Sequence, residues 1–198
     1  MIAGNFEDKY NSKHPISKIL VNGFLSSFDE FIDMSGSPRK ILEVGCGEGY
    51  LTKRLVDKFP NSEIFASDIS QEIARVARKR LGRKVNLSVQ NVEKLQYNKS
   101  TFDLLICCEV LEHVKNPEAA LSEIARVASN KIIISIPNEP LWRIFNISRG
   151  KYLKRFGNTP GHINHWLPHK FIKLLKDSGM KIISVNYPLP WIMVLAKK

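Results

Sequence analysis

Cysteine is scarce in this chain, and the three that occur stand at positions 46, 107 and 108. None forms a C-x-x-C pair, and the adjacent Cys107 and Cys108 make no ordinary structural clip. Zinc ribbons and disulfide scaffolds are therefore excluded, and a reduced compartment is expected. Also missing is any apolar run near the ~18 residues that a membrane span needs. The first fifteen residues are polar and mixed in charge, which argues against a signal peptide. Together these lacks lead to the expectation of a soluble, cytoplasmic protein without repeats or low-complexity segments.

Acid is the other shortage. Asp and Glu number 19 against 30 Lys and Arg, for a formal net charge of +11. The imbalance is local. Between 140 and 181 stand Arg143, Arg149, Lys151, Lys154, Arg155, Lys170, Lys173, Lys176 and Lys181, with Asp177 as the single acid. A concentrated excess of this kind points to an anionic partner.

What is present is enough for one α/β domain: 198 residues, 43% of them hydrophobic. Residues 1–38 read as an N-terminal arm and helix. The helix is expected over Asn22-Gly23-Phe24-Leu25 and 28–34, ended by Ser35-Gly36-Ser37-Pro38. Tyr10 and His14 precede it in a stretch that is either a solvated arm or a lid. Residues 39–198 alternate apolar strands with helical patterns, which requires right-handed crossovers and a doubly wound, mostly parallel sheet. The run 102–108 is continuously apolar, as in a central strand covered on both faces. The long irregular stretch 139–167 interrupts this order and reads as a lid or binding loop.

The organising stretch is Ile41-Leu42-Glu43-Val44-Gly45-Cys46-Gly47-Glu48-Gly49. A strand running through alternate glycines into a helix is a nucleotide-binding turn, because glycine admits positive φ and close ligand approach. The dinucleotide fingerprint G-x-G-x-x-G places its third glycine one position later. Glu43 and Glu48 would also repel a pyrophosphate, whereas they suit a ligand carrying an ammonium and a sulfonium. Asp68, at the end of the next strand, can accept hydrogen bonds from both ribose hydroxyls. Ser70 beside it is a candidate helix N-cap.

This loop resembles motif I of the class I S-adenosylmethionine (SAM) methyltransferases, Glu43 included. The run Cys108-Glu109-Val110-Leu111-Glu112-His113-Val114, then Glu123-Ile124-Ala125-Arg126-Val127 and Ile136-Pro137-Asn138, is similar in order and spacing to the type 11 group. Quinone-biosynthesis O- and C-methyltransferases belong to that group. The similarity covers residues 39–138. It implies a Rossmann-like seven-stranded sheet ending in an antiparallel hairpin, here 180–186 and 191–196. It implies SAM as cofactor, held by Glu43, Gly45, Cys46, Gly47, Gly49, Asp68, Ile69, Asn91, Val92 and Cys108. Asn91 departs from the family's usual Asp but keeps a side-chain carbonyl acceptor for the adenine amino group.

Methyl transfer from a sulfonium needs alignment more than covalent help, and a base only where the acceptor loses a proton. The expected catalytic groups are His162, His165, Glu109 and His113; the 162/165 pair reads equally as a buried structural pair or as the source of the base, where one is needed. Glu112 and Glu139 stand at equivalent strand ends. A similar Glu…Glu-His is associated with a divalent metal in quinone O-methyltransferases. The favoured reading is instead that Glu112 and His113 cap and pack the start of the following helix, and no metal is assigned.

The chain lacks the Asn/Asp-Pro-Pro-aromatic clamp of nucleobase amine methyltransferases and the proline-linked cysteine of carbon-5 enzymes. The acceptor is therefore expected to be a small or lipid-like molecule, with peripheral membrane contact through 141–156. An RNA methyltransferase and a non-catalytic SAM-binding regulator are the alternatives.

Overall fold

A computed structural model describes residues 15–198. Tyr10 and His14, and with them the question of an N-terminal lid, lie outside the described residues. The order of elements is α1 (Pro15–Asp33), β1 (Lys40–Val44), α2 (Tyr50–Lys58), β2 (Glu63–Asp68), α3 (Gln71–Leu81), β3 (Val85–Val89) and β4 (Phe102–Cys108). It continues with α4 (Pro117–Val127), β5 (Ala128–Pro137), α5 (Glu139–Ser148), α6 (Pro168–Asp177), β6 (Lys181–Asn186) and β7 (Trp191–Lys197).

All seven strands join one sheet in the order β3-β2-β1-β4-β5-β7-β6. The pairings from β3 through β5 are parallel, and β7 runs antiparallel to both β5 and β6. The doubly wound sheet and its terminal hairpin follow the expectation from the sequence. The strand order reverses between β1 and β4, which opens a crevice outside the carboxyl ends of those strands.

Period-two alternation assigns the core. Leu105 and Cys107 of β4 face one side with Leu42, Ile132 and Ile134, under Leu121 and Ile124 of α4 and Phe171 of α6. Leu104, Ile106 and Cys108 face the other with Ile41 and Ile133, under Phe28 of α1, Leu55 of α2 and Leu81 of α3. Burial on both faces is why these strands are uninterrupted apolar runs. Each fully buried Phe or Leu contributes roughly 1.5–3 kcal/mol.

Two elements differ from expectation. Helix α1 begins at Pro15, earlier than the apolar pattern around Asn22 suggests, because Pro fits the first helical turn. Residues 139–148 are helical, not irregular, with Pro140 again in the first turn. The helix stops at Ser148, and Gly150 takes φ 69° beyond it, so no single helix runs through Tyr152.

Candidate active site

The glycine loop leaves β1 and enters α2 through three positive-φ glycines, and each has its own reason. A Cβ on Gly45 would lie 2.2 Å from Val110 Cγ2, so this glycine lets the β4 end close against the loop. A Cβ on Gly49 would meet Leu81 at 2.9 Å, so this one lets α2 and α3 pack. The space at Gly47 is open to 4 Å, although its φ is 53°. That opening is where a ligand can approach the main chain.

Asp68 organises the loop from the next strand. Its Oδ2 accepts from Gly47 N at 3.0 Å and its Oδ1 from Ser70 N at 2.9 Å. Both oxygens keep further lone pairs for ligand hydroxyls. Ser70 also caps α3 through Ile73 N, so the capping and ligand roles coexist. Ile69, between them, leaves 41% of its surface exposed, an apolar platform at the strand end. Val92 is buried below. Asn91 Oδ1 accepts from Glu93 N at 3.0 Å in a local turn, which fixes its side chain and spends part of its acceptor capacity.

The two loop carboxylates do not stand as a flanking pair. Glu48 is engaged by Arg80 at 3.4 Å. Glu43 is buried beneath the loop, its carboxyl bonded by the Thr52 hydroxyl of α2. Burial raises its pKa to about 8, with Asp68 adding to the rise and Thr52 opposing it. Cys46 and Cys107 are raised above ordinary thiols, chiefly by burial, and Cys108 is buried as well. Cys107 and Cys108 are thus inert cysteines of β4, as expected, and Cys46 is buried in the glycine loop.

The second half of the crevice is built at the ends of β4 and β5. Glu109 adopts φ 59°, and its carboxylate accepts from Ser135 Oγ at 3.2 Å and Trp191 Nε1 at 2.6 Å. It was expected among the catalytic groups. Here it ties β4, β5 and β7 together, each oxygen accepting one of these bonds.

His162, by contrast, is buried with its Nδ1 2.9 Å from Glu139 Oε1, and His165 Nδ1 reaches the same oxygen at 3.3 Å. Burial would raise the Glu139 carboxyl. The His162 hydrogen bond and the charges of both imidazoles outweigh it, holding the pKa below the ordinary value. Trp142 stacks over His162, with centroids 6.0 Å apart.

His113 meets His162 edge-on at 4.9 Å, and its Nδ1–H donates to Gly161 O at 2.9 Å. The 161–164 segment is stitched to the 111–114 turn. Ile163 N and Asn164 N donate to Glu112 O, and the Asn164 amide donates to Leu111 O and Val114 O. Ligand-type atoms of Glu112, His113 and His162 lie within 4.8 Å of one another. With each Nδ1–H given to an oxygen, each Nε2 lone pair remains, the arrangement typical of metal-ligating histidines. Sequence reasoning assigned no metal; the third residue of this cluster, His162, comes from a distant segment.

The residues present fit the cofactor that the resemblance implies. The open face of Gly47, the partly satisfied Asp68 and the apolar Ile69 platform suit an amino-acid moiety, a ribose and an adenine, in that order. Two other clefts contain none of the expected site residues. One, of about 510 Å³, runs along β3 between Arg78, Leu87 and Tyr97, and one of about 280 Å³ lies by Arg39 and Asp103. Sequence reasoning missed Thr52 and Trp142, whose hydroxyl and ring carried no pattern of their own. It also missed Glu93, whose Oε1 accepts from Lys115 N and Asn116 N to seat α4.

Residues 42–134 match the family described as a methyltransferase domain. A malonyl-[acyl-carrier protein] O-methyltransferase of Ilyobacter polytropus is 35% identical over 88 residues, 43% of this chain and 34% of that protein. A ubiquinone biosynthesis O-methyltransferase of Xanthomonas axonopodis pv. citri is 28% identical over 165 residues, 77% of this chain and 67% of that protein. The chain thus spans about a third of the length of the first curated relatives it matches. Among solved structures, magnesium protoporphyrin IX methyltransferase from Synechocystis PCC 6803 with bound SAH superposes with a TM-score of 0.72. It is 20% identical, with 96% of this chain and 93% of that chain covered.

Proposed function

We propose that the chain, whose residues 42–134 match a methyltransferase domain, is a class I SAM-dependent methyltransferase that methylates a small or lipid-like acceptor under residues 139–167. SAM, when bound, supplies an activated methyl. The loop 45–49 receives its amino-acid end, Asp68 its ribose, and Ile69, Asn91 and Val92 its adenine. The observation that carries the acceptor side is the buried Glu139–His162 pair, with Glu139 just past the carboxyl end of β5. His162 Nδ1–H donates to an ionised Glu139, which leaves Nε2 to take the proton of an acceptor hydroxyl. Glu139 then stabilises the imidazolium. Trp142 stacks over His162 and itself packs against Trp191. His165, more exposed on the same carboxylate, supports Glu139 without being the base.

The test is product formation against a panel of phenolic and carboxylic acceptors. His162→Gln should lower kcat by roughly 10²–10⁴-fold with SAM affinity unchanged. Turnover that survives this change would remove His162 as base, and SAM binding without turnover on any acceptor would favour a regulator. A second reading rests on the convergence of Glu112, His113 and His162, which could hold a divalent cation to polarise an acceptor oxygen. Activity lost to a chelator and restored by one cation would favour it.

A further inference from the structure

We propose that the outer surface of the 139–167 lid is a docking face for an anionic phospholipid bilayer. The inner side of this lid is firmly held. Buried Asn146 donates to Gly157 O at 2.8 Å, and the Trp142 indole donates to Thr159 Oγ1 at 2.7 Å. A Cβ on Gly157 would lie 2.4 Å from Arg143 O, so the segment after α5 folds directly back onto that helix.

The outer side is unlike an ordinary protein surface. Ile144 and Ile147, three apart on α5, are 60% and 45% exposed. Leu153 and Phe156 flank and include the short 3₁₀ turn 153–155 and are 58% and 79% exposed. Residues three apart in such a turn project together. Tyr152 and Phe156 also adopt φ of 53° and 49°, unfavourable for aromatic residues. Strain that holds a phenyl ring in water brings no folding return and is characteristic of binding surfaces.

The charge around these groups selects the occupant. Lys154 and Arg155 stand exposed between Leu153 and Phe156. No Asp or Glu occurs in the sequence from 140 to 176. An apolar wedge within a basic collar matches a bilayer, where aliphatic and aromatic tips reach the acyl boundary while cations meet lipid phosphates. RNA would use the cations but leave the isoleucines and leucine without partners. The inference deepens the proposed acceptor class, since docking presents the Glu139–His162 pair to a lipid-like molecule. Vesicle binding is nonetheless measured without acceptor or turnover, so either idea can fail alone.

The experiment is flotation of the full chain with phosphatidylcholine vesicles, alone or mixed with phosphatidylglycerol, at low and high salt. Binding should require the anionic lipid and weaken at high salt. It should fall ~tenfold or more in Lys154→Glu, Arg155→Glu, and comparably in Leu153→Ser, Phe156→Ser. Thermal melting and SAM affinity should hold in both variants, and Ile144→Ser provides a separate change on α5. Three results would overturn the proposal: no binding to anionic vesicles at low salt, binding indifferent to both double variants, or displacement by RNA that ignores Leu153 and Phe156.

Discussion

The two halves of the crevice are built from different materials. At β1–β2 the work is done by backbone: glycines at fixed spacing, amide groups aimed by one carboxylate, and close packing between helices. At β4–β5 it is done by side chains drawn from distant segments, with Glu139, His162, His113 and Trp142 meeting through hydrogen bonds and ring contacts. The first half can be rigid because its ligand does not vary. The second can be rebuilt by changing a few side chains, as suits a fold that serves many acceptors.

Gly47 and Gly45 give the sharpest way to break this contrast. Gly47→Val fills open space and strains φ, so SAM affinity should fall by more than about 100-fold, or ~3 kcal/mol, with the fold retained. Gly45→Ala instead drives its Cβ into Val110 at 2.2 Å, and should lower the melting temperature before it lowers binding. Val110→Ala should partly restore the second variant and do nothing for the first. Calorimetry with thermal melts reads both. Equal losses of binding at equal stability would mean that the loop behaves as one unit, without the division of roles drawn here.

This division also explains what was legible beforehand. Backbone demands act over a few residues, so Gly45 through Gly49 and Asp68 stand out by spacing alone. The doubly wound parallel sheet followed from the alternation of strands and helices, and its terminal hairpin from the family resemblance. Side-chain constellations have no such period. Glu139 and His162 lie 23 positions apart, and their pairing required the lid's path, which became irregular after Gly150. Glu109 was legible only as a carboxylate at a strand end, because the Trp191 and Ser135 that bond its oxygens are remote in sequence.

Glu43 tests whether the backbone-built half carries any titrating chemistry. Its folded pKa of about 8 lies above the ordinary value of 4.5. The stability it confers is therefore complete below pH 4.5 and is lost as pH rises through 8. Glu43→Gln should flatten that decline, a difference of roughly 3–5 kcal/mol across the range. A cationic cofactor beside the loop favours the carboxylate, so binding near pH 7 should release a proton. Calorimetry in buffers of different ionisation enthalpy would detect the release, and Glu43→Gln should abolish it. Binding without proton exchange in the wild type would leave Glu43 as a structural partner of Thr52 alone.

The smallest effects compare two side chains of the backbone-built half. Asp68→Ala removes a charged acceptor and the brace of Gly47 N, at about 1.5–3 kcal/mol of SAM affinity. Asn91 offers the adenine amino group only one neutral oxygen, already shared with Glu93 N. Asn91→Leu should therefore cost about 1 kcal/mol, through an unpaired donor on the ligand and a loosened turn. Asn91→Asp keeps both acceptor functions, since its oxygens can serve the Glu93 amide and the adenine separately. It should bind SAM at least as well as the natural side chain. Titration of the three forms at one pH decides the matter: equal affinities would assign Asn91 to the turn and leave adenine to Ile69 and Val92.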